Sequence, residues 1–236
     1  MSHTIQKSAT IAGVSLLAMA IIAAFSYGFV HESLVSLNDE QTTFTNIQSS
    51  LHLFKLEIFG WILIVIADVI VSWALYLFFK PTHPTLSLLA ALLRIIYTVF
   101  LGIAILNLVF VFVIAANELQ QSILLFLQAF EIIWTIGLII FGGHLLMIGY
   151  MMFQPPLLPK TISTLLLLAG IGYIITSTAI VFFSSHENIV DWLNTIFMLP
   201  MILGELSLAI WLIIQDQLRL DVIASRFFRA RSKSSS

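Results

Sequence analysis

Apolar and polar positions alternate along this chain in long blocks. A helix needs about 20 apolar residues to cross the hydrocarbon core of a bilayer. Six blocks reach that length, at 8–30, 56–79, 85–115, 123–153, 161–183 and 195–214. Helix breakers separate them. Lys80-Pro81-Thr82-His83-Pro84 predicts a tight turn, Asn117-Glu118-Leu119-Gln120 a short polar one, and Gln154-Pro155-Pro156-Leu157-Leu158-Pro159-Lys160 a third. The block 123–153 is long for one crossing, which predicts either tilt or a break near Gly142-Gly143.

The stretch His31 to Lys55 is polar, with Phe44, Ile47, Leu51 and Phe54 at helical spacing. It predicts an extracytoplasmic amphipathic helix at the interface, or an extension of the second span. The tail 217–236 mixes Arg219, Arg226, Arg229, Arg231 and Lys233 with Val222, Ile223, Phe227 and Phe228. It reads first as a cytoplasmic basic flank, and second as a contact for anionic lipid.

Composition supports this map. Hydrophobic residues make up 60% of the chain and charged residues 9%, with a mean hydropathy of +1.06. Soluble domains carry roughly 25% charged residues, so there is too little polar surface here to coat a water-soluble core. The fold class expected is all-α, a polytopic membrane bundle of six spans, with the lipid bilayer as its first partner. A net charge of −2 gives no reason to expect nucleic acid. The lack of cysteine excludes disulfides, thiolate metal sites and cysteine nucleophiles.

Cations set the orientation. Lys7, Lys80, Lys160 and the tail fall on one side of the map, with Lys55 alone among cations on the other. Glu32, Asp39, Glu40, Glu118, Glu187 and Asp191 share that other side. The positive-inside rule then places both termini in the cytoplasm, and the expected location is a bacterial inner membrane. Tyr27, Trp61 and Trp192 would form the outer aromatic belt, Tyr76 and Tyr150 the inner one. The first span exceeds the 7–15 apolar residues of a signal peptide, which favours a retained anchor.

A charge inside a span costs roughly 2.5–3.5 kcal/mol on insertion scales. This chain places Asp68, Arg94, Glu131 and Glu205 there, with His144, Asn107 and Tyr173 as milder cases. At about 1.5 Å per residue, Asp68 and Arg94 sit roughly 14–16 Å from the cytoplasmic ends of consecutive antiparallel helices. They are expected to form a buried ion pair. Glu57, Trp61, Asp68, Ser72 and Leu75 make one helical stripe, and Arg94, Thr98, Leu101 and Ile105 its counterpart. Glu131 and Glu205, counted from the outer ends of their blocks, fall at one level near the midplane. His144 lies about 140° around its helix from the Glu131 face, so it is expected to donate to a neighbouring helix rather than meet Glu131 or a metal.

No HExxH, GxSxG or Walker loop is present, nor GxxxG, nor a visible internal repeat. No cofactor is implied. Several blocks resemble a bacterial membrane family catalogued as domain of unknown function 4386. They are Thr45-Asn46-Ile47, Asp68 with Leu75-Tyr76, Leu89-Ala90-Ala91-Leu92-Leu93-Arg94, and the most specific, Phe141-Gly142-Gly143-His144-Leu145-Leu146-Met147-Ile148-Gly149-Tyr150. Leu158-Pro159-Lys160, Ala169-Gly170-Ile171-Gly172-Tyr173, Gly204-Glu205-Leu206 and Trp211-Leu212 follow. Family members usually carry a bulkier apolar residue where Gly143 stands. The resemblance implies a helical membrane bundle, without an activity, and picks out Asp68, Arg94, His144 and Glu205.

Three readings follow. The first is a small transporter or ligand-binding protein whose polar centre is Asp68, Arg94, Glu131, His144 and Glu205. The second is a non-catalytic scaffold whose buried charges fix helix register. The third is an intramembrane enzyme, ranked last because no nucleophile or metal set is visible.

Overall fold

The computed structural model describes residues 3–117, 122–154, 160–183 and 186–233, with the chain beyond Gln215 as backbone alone. Glu118, Leu119, Gln120 and the run 155–159 of the predicted turns lie outside these residues, as do the side chains of the basic tail. Among the described residues every regular element is a helix, without strands. Helix α1 (His3–Ala23) runs on through a π-helical segment (Ala24–His31) and a last α turn (Glu32–Leu34). Then come α2 (Glu40–Ser49), α3 (Leu51–Phe79), α4 (Pro84–Ala116), α5 (Ile123–Phe153), α6 (Lys160–Phe182) and α7 (Glu187–Lys233).

Six of these helices are long and apolar enough to cross a membrane, over Ile5–Leu34, Leu51–Phe79, Pro84–Ala116, Ile123–Phe153, Lys160–Phe182 and Asn188–Gln215. Each carries large apolar side chains on its outer face, among them Ile21, Trp73, Leu106, Leu125, Leu168 and Leu199. That outward apolar coat belongs in lipid, where every backbone polar group must be satisfied within its own helix. The protein is a polytopic helical membrane bundle.

The spanning helices pack in chain order. Helix α1 lies against α3, α3 against α4, α4 against α5, α5 against α6 and α6 against α7, and α7 closes on α1. The result is a six-membered ring of antiparallel neighbours. Where α5 meets α6 the backbones nearly touch. A Cβ on Gly142 would lie 2.6 Å from the Gly170 carbonyl oxygen, and one on Gly170 would lie 2.7 Å from that of Gly142. The Ser163 hydroxyl donates to the Gly149 carbonyl across the same seam, at 2.7 Å.

Helix α2 rests against the ends of α3, α4 and α5, with Phe44 and Ile47 buried beneath it. Asp39 caps it, accepting from the Thr42 N–H at 3.0 Å and the Thr42 hydroxyl at 2.6 Å. These bonds, the hydroxyl's first, hold the Asp39 carboxyl below its ordinary range.

The structure decides two open alternatives and corrects two expectations. Helix α5 is unbroken at Gly142-Gly143: Gly142 serves the close approach to α6, Gly143 faces Leu93 of α4, and the helix runs on through both. The segment 31–55 resolves into both of its predicted alternatives, a separate α2 and an α3 that starts early, at Leu51. Trp61 and Tyr27 are not belt residues. Trp61 is buried and T-stacks on Trp134 inside the ring, and Tyr27 packs edge-on against the same Trp134. Helix α7 begins at Glu187, well before position 195, and continues past Pro200 and past the predicted span end to Lys233. Its extra outer turns carry Ile189 and Trp192, apolar enough to belong to the span.

Candidate functional site

Inside the ring, Asp68 on α3 and Arg94 on α4 form the expected ion pair. Arg94 Nε and Nη2 both reach Asp68 Oδ1, at 2.8 and 2.6 Å, and both side chains are buried. The stripes that predicted the pair are buried too, from Glu57 and Trp61 through Ser72 and Leu75 on α3, and from Thr98 to Ile105 on α4. The Ser72 hydroxyl donates to the Ala91 carbonyl and fastens the same two helices one turn from the pair.

His144 on α5 completes the network. Its Nδ1 lies 2.8 Å from the Ala90 carbonyl, which can only accept, so Nδ1 carries the proton. Its Nε2 then accepts from Arg94 Nη1 at 3.3 Å. Both ring nitrogens are committed to α4, so His144 acts as an interhelical donor. Arg94 is equally committed. Its remaining contacts are a long one from Nη2 to the Met19 sulfur at 4.0 Å and the face of Phe141, 5.3 Å from the ring centre. One network thus ties α3, α4 and α5, with α1 at its edge.

Across the ring, Glu205 on α7 accepts from the Tyr173 hydroxyl of α6 at 2.6 Å. Tyr173 in turn meets Phe141 edge-on. Between this pair and the Asp68–Arg94 pair lies a cavity of about 540 Å³. All six spanning helices line it, through Met19, Asp68, Arg94, Trp134, Tyr173 and Glu205 among others. Asp68 Oδ2 is buried without a hydrogen-bond partner. Among the described residues, Glu205 takes no hydrogen bond beyond that from Tyr173.

Glu131 belongs elsewhere. It lies eight residues past the start of α5 at Ile123, whereas Glu205 lies eighteen past the start of α7 at Glu187. At about 1.5 Å per residue these are roughly 12 and 27 Å along their helices, so the two carboxylates do not share a level. Glu131 Oε1 faces His31 Nε2 at 3.4 Å, and His31 Nδ1 faces Glu57 Oε1 at 2.7 Å. This second cluster sits at the end of the ring that carries α2 and involves α1, α3 and α5. Tyr27 stacks on His31, and Phe130, Trp61 and Trp134 pack around them. The aromatics separate the second cluster from the cavity.

Sequence reasoning missed His31. Its position just past the predicted end of the first span placed it outside the membrane. The π-helical winding of Ala24–His31, in which the Glu32 N–H reaches back to the Tyr27 carbonyl, holds His31 buried inside the bundle instead. The signal that would have found it is Glu57, an acid on the Asp68 stripe with no predicted partner.

Residues 11–215 match the family described as "Domain of unknown function (DUF4386)". A protein of Archaeoglobus fulgidus described as "Uncharacterized protein" is 30% identical over 169 residues, covering 72% of this chain and 89% of its own. No solved structure matches. The chain belongs to this family.

Proposed function

We propose that this member of the family binds a small molecule in its central cavity and moves it across the cytoplasmic membrane, with buried carboxyl groups handling protons. One observation carries the reading. The cavity is lined by every spanning helix, and both of its charged clusters, Asp68–Arg94 and Glu205–Tyr173, face it from opposite sides. Its volume falls in the range of roughly 300–1,000 Å³ usual for small-molecule sites. Ionisable groups at membrane depth are costly, and they cluster at substrate and proton pathways. The cation bias supports the orientation with both ends in the cytoplasm, with Lys7, Lys80 and Lys160 at one end of the ring and Lys55 at the other. Lys80 covers the Tyr76 ring at one end of the ring, and Lys55 the Phe112 ring at the other.

The test is proteoliposomes loaded with a pH-sensitive dye and challenged with organic cations, anions and neutral solutes. Wild type should move protons with at least one class, and Glu205→Gln, which keeps an acceptor for Tyr173, should abolish the movement. No movement with any class would sink transport.

A scaffold reading is favoured by the Asp68–Arg94–His144 network, which fixes three helices and leaves Arg94 little freedom. It requires a consistent partner in native-membrane cross-linking. A chain that is always trapped alone counts against it.

A further inference from the structure

We infer that the central cavity takes an organic cation, a protonated or quaternary amine carried on a compact apolar or aromatic body. This deepens the proposed function and rests on its premise that the cavity binds a small molecule. The argument begins with what the lining groups have left to offer.

Arg94 is the one cationic side chain among the lining residues. It is already committed to Asp68 by two contacts, to His144 by a third, and to the face of Phe141. An anionic ligand would compete with Asp68 for the one cation in the wall. The acceptors are in the opposite condition. Glu205 is only half-buried at the cavity wall and is bonded through one oxygen to Tyr173 alone among the described residues, while the wholly buried Asp68 adds negative charge to the wall. Two carboxyl groups on α3 and α7 therefore stand against one cation most of whose donors are spent.

The rest of the wall agrees. Trp61, Tyr97, Trp134, Phe141 and Tyr173 line the cavity, and aliphatic side chains such as Leu16, Ile64 and Leu138 fill the gaps. Aromatic faces attract a desolvated cation through the ring quadrupole, best at tryptophan. They do nothing comparable for an anion. A neutral ligand would find apolar packing but would bring no charge to the Glu205 carboxyl. A cation uses these features at once: the ammonium at Glu205, the aromatic walls around it, and the aliphatic surface for its body.

The experiment uses the full chain in nanodiscs, with empty nanodiscs as the control for partitioning. Three probes of one shape are compared by equilibrium dialysis and tryptophan quenching: benzyltrimethylammonium, neutral neopentylbenzene and anionic phenylmethanesulfonate. The cation should bind at least tenfold more tightly than either other probe. Glu205→Gln should weaken it about tenfold without lowering the melting temperature, and Trp134→Leu should weaken it by a similar factor. Equal or tighter binding of the neutral or anionic probe, removed by the cavity-filling Ala20→Phe, would overturn the cation and leave the binding reading standing. Cation binding that ignores both Glu205→Gln and Trp134→Leu would also overturn it. Failure of all three probes to bind would remove both readings together. The probe comparison needs no variant, so it decides the matter even if a substituted chain fails to fold.

Discussion

Removing one member of the Asp68–Arg94 pair leaves the other as an uncompensated charge in an apolar interior. The structure sets the size of the effect. Both side chains are almost wholly excluded from the surface, and Arg94 bonds twice to one oxygen at 2.6 and 2.8 Å. Breaking a buried pair from one side costs about 3–5 kcal/mol. For a chain of this length that corresponds to a fall in Tm of about 6–20 °C. Asp68→Asn and Arg94→Gln should each show it in detergent, followed by melting temperature and size-exclusion profile. The double variant strands neither charge. It still deprives His144 Nε2 of the Arg94 donor, at a cost of about 1–3 kcal/mol. It should therefore melt above both single variants and somewhat below wild type. A double variant that loses the sum of the two single losses would refute the pairing argument, because the sites would then be independent. Single variants that melt with wild type would show that these charges do not set stability.

Three further outcomes follow from particular contacts. Gly142→Ala should lower Tm, since its Cβ would collide with the Gly170 carbonyl, whereas Gly143→Ala meets only Leu93 Cδ1 at 3.6 Å and should hold or gain, by up to about 1 kcal/mol of helix propensity. The reverse order in a thermal melt would undo the account of the α5–α6 seam. The cysteine-free chain allows topology to be read directly: in intact cells Asn38→Cys should react with a membrane-impermeant maleimide and Thr82→Cys should not, and the opposite pattern would invert the bundle. Asp39 has a lowered folded value, so its capping contribution is complete above the unfolded carboxyl value of about 3.9 and is lost as pH falls through the folded one. Amide protection over Glu40–Ser49, corrected for intrinsic exchange, should fall in that acid range, and Asp39→Ala should abolish the acid step.

Much of this protein was legible in its sequence because lipid imposes simple rules. Twenty apolar residues cost little to bury in hydrocarbon, while a charge costs a great deal, so the spans and the anomalous residues both stand out. Asp68 and Arg94 were paired by depth alone, since a short loop forces consecutive helices to run antiparallel and matches their levels. The angle of His144 on α5 kept it from Glu131, and the usual role of a histidine within a span gave it an interhelical bond, which it makes to Ala90.

Span ends were legible only approximately, because polar residues at an interface are compatible with helix as well as with loop. That uncertainty put Glu131 and Glu205 on one level, and the early start of α7 at Glu187 separates them. The inward turn of His31 was beyond the sequence, because a π-helical segment changes which residue faces inward without changing composition. Closure of the ring, α7 onto α1, was beyond it as well: apolar helix faces suit lipid and protein equally, and only the fit of small residues between helices decides which faces meet. The residues of the cavity are thus set by sequence, but their gathering around one space is set by that packing. Glu205 meets Tyr173, and both face Asp68, only because six helices close into a ring around them.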